Sequence, residues 1–178
     1  MPHFAVSCIG ADQPGIVAAV TGVLVDHGCN LEDTSMSILR GHFAMMLVVA
    51  GPADLGSSTL EAALAEPSRR FELVTVVRTI DDEVPSSPPG EPWSVSVYGA
   101  DRPGIVHRVT ALMADAGVNV VDLATRVIGD PTRPVYAMML DVTLPWDLPG
   151  AELDRRLAGL AVELGVECST RPADADIL

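Results

Sequence analysis

Hydrophobic positions change period along this chain in a fixed order, and the order occurs twice. A short apolar run from Phe4 to Ile9 predicts a strand. Ile16, Val20, Val23 and Leu24 then keep the spacing of one helix face up to a stop at Gly28. Two extended segments follow, Leu31 to Leu39 and Phe43 to Ala50. A second, short helix comes next, with Ser58 and Glu61 as a capping box, and Phe71 to Ile80 predicts a closing strand. The same succession resumes with a strand from Trp93 to Tyr98 and a helix through Ile105, Val109, Leu112 and Met113 that ends at Gly117. Strands at 120–128 and 135–144, a longer helix through Leu153, Leu157, Leu160 and Leu164, and a strand at 166–171 complete it.

The two halves are one unit written twice. The segment beginning at Phe4 aligns without gaps on the segment beginning at Trp93, an offset of 89, so that Gly10/Gly99, Asp12/Asp101, Pro14/Pro103, Gly15/Gly104, Gly28/Gly117 and Asn30/Asn119 recur in step. Further on, Ala44-Met45-Met46-Leu47 answers Ala137-Met138-Met139-Leu140 at an offset of 93. The second copy has therefore gained four residues, which fit the turn signal Gly129–Pro134. Between the copies, residues 81–92 are acidic and rich in proline, the composition of an extended linker. The expected organisation is domain one at 1–80, linker at 81–92, domain two at 93–172 and an acidic tail at 173–178. The order β-α-β-β-α-β within each copy predicts an α+β protein of two ferredoxin-like domains with antiparallel sheets.

Such a domain carries both helices on one face of its sheet. The run from Phe43 to Ala50 never alternates with polar residues, as a strand wetted on one side should. The second sheet face is therefore expected to be apolar and covered, by the other domain or by a second chain, and a homodimer is expected.

Charge narrows the possible partners. The net charge is −13 and no segment is basic, which opposes direct contact with nucleic-acid phosphates. All eleven basic residues are arginines, so there is no lysine for a P-loop or a Schiff base. Cys8, Cys29 and Cys168 are odd in number and lack C-x-x-C spacing, and read as reduced thiols. His3, His27, His42 and His107 show neither metal nor triad spacing, although His27 beside Cys29 invites inspection, and no nucleophile or dinucleotide motif is present. No catalytic residue, metal or cofactor is expected. The N-terminus lacks a signal-peptide pattern and no apolar run is long enough for a membrane span, so the expected location is the cytoplasm.

The most informative segment is Gly10-Ala11-Asp12-Gln13-Pro14-Gly15-Ile16-Val17, repeated as Gly99-Ala100-Asp101-Arg102-Pro103-Gly104-Ile105-Val106 where the first strand meets the first helix. Asp can cap the helix, Pro suits its first turn, and a glycine leaves the positive end of the helix open to a carboxylate. A tight turn asks for the same residues without any ligand. Asn30 and Asn119, each at the start of the next strand, are expected near that turn. Their amides suit a zwitterion, or equally a left-handed turn position.

With both copies carrying D-x-P-G-I/L-V, a helix and G-x-N-I/V, the whole chain outside linker and tail resembles a tandem pair of ACT domains, a regulatory amino-acid-binding module. The resemblance implies effector sites at domain–domain interfaces. Its contacts would be Asp12, Gln13, Pro14, Gly15, Ile16, Asn30 and Leu31 in copy one, and Asp101, Arg102, Pro103, Gly104, Ile105, Asn119 and Val120 in copy two. Because the chain holds little beyond the pair, it most resembles the glycine cleavage system transcriptional repressor family, which implies a non-catalytic regulator acting through a partner protein. The alternative is a ligand-free interaction or assembly module.

Overall fold

The computed structural model describes residues 1–80, 89–129 and 135–173. The chain divides into two compact units, Met1–Val84 and Pro85–Leu178. Unit 1 comprises β1 (His3–Ala11), α1 (Ile16–Asp26), β2 (Asn30–Leu39), β3 (His42–Ala50), α2 (Ser57–Arg70) and β4 (Val74–Ile80). Unit 2 repeats the order with β5 (Gly90–Gly99), α3 (Ile105–Asp115), β6 (Asn119–Ile128), β7 (Val135–Pro145), α4 (Gly150–Leu164) and β8 (Val166–Pro172). The sheets run β2-β3-β1-β4 and β6-β7-β5-β8, with every pairing antiparallel. This is the ferredoxin-like fold, formed twice. The expected linker at 81–92 falls outside the described residues as far as 88, and the tail does so from 174. Gly90, Glu91 and Pro92 already pair with β7. Pro92 joins the sheet through its carbonyl, which accepts a hydrogen bond from the Ala173 N–H at 2.9 Å, a role that needs no N–H of its own.

Alternation that the sequence of β3 hides is plain in its burial. Phe43, Met45, Leu47 and Val49 enter the core with Phe4, Val6 and Cys8 of β1, and Ile16, Val20 and Leu24 of α1 and Leu60 and Leu64 of α2 close it. In unit 2 the equivalent layer holds Val95, Val97, Met138, Leu140, Ile105, Val109, Met113, Leu153 and Leu157. Each fully buried leucine of α2 or α4 contributes about 1.5–3 kcal/mol of transfer free energy, enough to hold helices with modest intrinsic stability.

Two helix expectations need correction. The second helix of unit 1 is not short: α2 has 14 residues against 15 in α4, because Leu60, Leu64 and Pro67 keep one face buried through the proline. Its N-cap is Gly56, with no side-chain cap hydrogen bond, so Ser58 and Glu61 form no capping box. The expectation of an apolar second sheet face holds for unit 1 alone. There, Ala5, Ser7 and Ile9 of β1, Ala44, Met46 and Val48 of β3, and Val74 and Val76 of β4 point away from the helices. In unit 2 the matching positions include Ser94, Asp141, Glu167 and Ser169, and Ser94 donates a hydrogen bond to Asp141 at 2.9 Å.

Candidate functional site

Both strand-to-helix turns are built around close backbone approaches. A Cβ on Gly10 would come within 2.7 Å of Leu73 Cδ2, and one on Gly99 within 2.7 Å of Val166 Cγ1, so a glycine near the end of each first strand lets the start of the last strand come close. The chain then turns through exposed Asp12–Pro14 or Asp101–Pro103 and enters the helix at Gly15 or Gly104, with φ of 97° and 94°. Those values lie in the left-handed region, where glycine avoids the Cβ clash of other residues.

The N-caps are thus glycines rather than Asp12 and Asp101. Neither helix has a side-chain cap hydrogen bond, and Pro14 and Pro103 precede the helices instead of occupying their first turns. No acidic residue stands in either first turn, and a Cβ on Gly104 would meet nothing within 4 Å. Such a terminus offers N–H groups and the positive end of the helix dipole to an anion. Ile16 and Ile105 are core residues, 1% and 2% exposed, and anchor the turn from below rather than lining its surface.

Asn30 and Asn119 are not beside their own turns. Each first helix travels back along its sheet for 11 residues, about 16 Å. Asn30 therefore pairs with Ala50, which pairs with His3 at the beginning of β1, whereas the turn follows Ala11 at its end. Eight residues of strand separate those rows, about 26 Å. Asn119, paired with Thr143, lies likewise at the far end of unit 2. Leu31 is exposed and Val120 half-buried beside them, just before a bulge that interrupts the register at the same place in both sheets. Within either unit, the expected contacts form two separate groups, a turn and a strand start.

The two turns have different surroundings. In unit 1 the Phe71 ring lies 3.6 Å from the position of a Gly15 Cβ. In unit 2 the guanidinium of Arg102 reaches the carbonyl of Leu164 at the end of α4, at 3.5 Å, so part of its charge complements a helix C-terminus. Tyr136 also faces this turn. Burial pushes its phenol up, its hydrogen bond with Thr125 opposes that, and the nearby Asp101 carboxylate pushes it further up. Tyr136 was not among the expected residues. Its counterpart is Phe43, and that exchange of phenyl for phenol was the available signal.

The other candidate chemistry stays quiet. Among the described residues no group of three or more His, Cys, Asp or Glu side chains could hold a metal ion. His27 Nδ1 lies 2.8 Å from the carbonyl of Val23, and Cys8, Cys29 and Cys168 are free thiols, each pushed up by burial. No helix among the described residues is long and apolar enough to cross a membrane.

A βαββαβ unit with a glycine-capped first helix, present twice, defines the class. ACT-domain models match residues 3–78 and 93–145, and the chain belongs to the ACT-domain family. It is 24% identical over 169 residues to the glycine cleavage system transcriptional repressor of Escherichia coli, covering 94% of this chain and 88% of that protein. A UPF0237 protein of Methanopyrus kandleri is 39% identical over 82 residues, 46% of this chain and 91% of that one. A crystal structure of an unknown protein from Galdieria sulphuraria superposes with a TM-score of 0.80 at 30% identity, covering 97% of this chain and 99% of that chain.

Proposed function

We propose that this chain is a non-catalytic, cytoplasmic regulator whose ACT domains sense a small-molecule effector, an amino acid, and which controls transcription or metabolism through a partner protein, as a homodimer. The observation that carries this reading is the similarity to a transcriptional repressor across 94% of the chain, both domains included. The net charge of −13 supports action through a protein rather than by direct contact with DNA.

The uncapped helix N-termini at Gly15 and Gly104 supply donors for an effector carboxylate, and Asn30 and Asn119 supply an amide that can serve an ammonium group. Turn and asparagine stand at opposite ends of each sheet, so no single unit presents both to one effector. A second reading is an assembly module without ligand, favoured by the exposed apolar sheet face of unit 1.

Thermal-shift screening of the full chain against the twenty amino acids, followed by calorimetry, separates the two. A ligand at about 100 times its Kd stabilises the native state by about 2.7 kcal/mol, and the transition moves accordingly. A flat response to all twenty would overturn amino-acid sensing and leave the assembly reading.

A further inference from the structure

We propose that the open face of the unit 1 sheet is a self-complementary surface that joins two copies of this chain about a twofold axis running parallel to its strands. This deepens the homodimer part of the functional reading and requires nothing of the effector sites. The face carries Ile9 and Met46, each 55% exposed, Val74 at 68% and Val76 at 47%, contiguous across three strands. The unit 2 sheet offers no matching apolar face. Relative to unit 1 it replaces Ala5 by Ser94, Val48 by Asp141, Val74 by Glu167, Val76 by Ser169 and Ser37 by Arg126. Packing an apolar face on that surface would strip water from charged groups without pairing them. The same unit 1 face on a second copy meets no such cost.

The register shows how the two copies fit. Three rows cross the unit 1 sheet on its open side: Asp33–Val48–Ala5–Arg78, Ser35–Met46–Ser7–Val76, and Ser37–Ala44–Ile9–Val74. An axis along the strands, passing between β3 and β1, sets each row against itself in reverse. Val48 then lies over Ala5 of the second copy, Met46 over Ser7 and Ile9 over Ala44, a large side chain over a small one in every row. At the margins Val76 lies over Ser35 and Val74 over Ser37. The only charged pair of these rows, Asp33 and Arg78, stands at opposite ends of one row, so the axis brings each against its opposite. An axis across the strands would instead stack Met46 on Met46 and leave Arg78 over Val74. Aligned stacking of two sheets about 10 Å apart is an ordinary packing mode and buries alternating side chains in this way.

Sedimentation equilibrium of the full chain without effector tests the proposal. The wild type is expected at twice its 18.7 kDa. Met46→Glu should shift the mass to that of the monomer while the far-ultraviolet circular dichroism spectrum stays unchanged. Asp33→Arg and Arg78→Asp should each weaken the dimer, and the double reversal Asp33→Arg/Arg78→Asp should restore it. A monomeric wild type would overturn both the homodimer and this surface. A dimer that survives Met46→Glu would overturn the surface while leaving the homodimer in place. Single reversals without effect, or a double reversal that fails to recover dimer, would overturn the strand-parallel axis.

Discussion

Replacing Gly104 by alanine separates backbone strain from ligand chemistry at the unit 2 turn. Gly104 holds φ 94° and ψ −6°, and a Cβ placed on it meets no atom within 4 Å. The substitution therefore introduces no clash with neighbouring groups, and its cost is conformational, about 1–2 kcal/mol for a residue other than glycine in the left-handed region. Alanine also has fewer unfolded conformations to lose, worth about 0.4–1 kcal/mol in the opposite sense. The net destabilisation is about 1 kcal/mol, which for a domain of this size lowers Tm by roughly 4–8 °C.

The new methyl group also stands at the mouth of the uncapped helix N-terminus. Effector affinity at that turn should fall at least about tenfold, corresponding to about 1.4 kcal/mol. Urea unfolding with calorimetric titration reads both quantities on one preparation. Unchanged stability would refute the strained turn, and a small stability loss with full effector affinity would refute anion capture at this helix.

Three other outcomes follow from the geometry. Asn30→Ala should leave stability within about 0.5 kcal/mol, since Asn30 is exposed. Combined with Asn119→Ala, it should weaken amino-acid binding about ten- to a hundredfold by calorimetry, and full-strength binding by the double variant would remove both residues from the site. Arg102→Gln loses a cation at the end of α4 and should cost unit 2 less than about 1 kcal/mol in urea unfolding. It should also change selectivity among neutral and acidic amino acids, whereas unchanged selectivity with reduced stability would restrict Arg102 to the helix end. For Cys8, burial holds the thiol above its ordinary value against the opposing hydrogen bond from Thr75. Because its folded pKa is raised, its stabilising contribution is full below the unfolded value of about 8.5 and is lost as pH rises through the higher folded one. Native-state alkylation of Cys8 should accordingly lag behind that of the unfolded chain, and equal rates would contradict the burial.

Much of this molecule was legible in its residues because the relevant forces are local or repeated. The periods of 2.0 and 3.6 marked the strands and helices, Gly28 and Gly117 marked the helix stops, and the offset of 89 made each half a check on the other. The glycine of the turn was legible for the same reason, since a positive φ is a property of one residue. Strand register and long-range approach were not legible. The placement of Asn30 depends on which residue of β3 it pairs with, and that pairing put it beside Ala50, at the far end of the sheet from the Asp12 turn.

The apolar run of β3 could not reveal which side of its sheet would stay open, because both sides of that strand are apolar. Only its neighbours decided it, with Val74 and Val76 in unit 1 against Glu167 and Ser169 in unit 2. Arg102 meets Leu164 across 62 positions of sequence, and Tyr136 comes near Asp101 through the folding of β7 against β5. Sequence periodicity records what each residue prefers of its own surroundings. Which surfaces meet is set by packing the whole sheet, where contacts between distant segments determine the minimum.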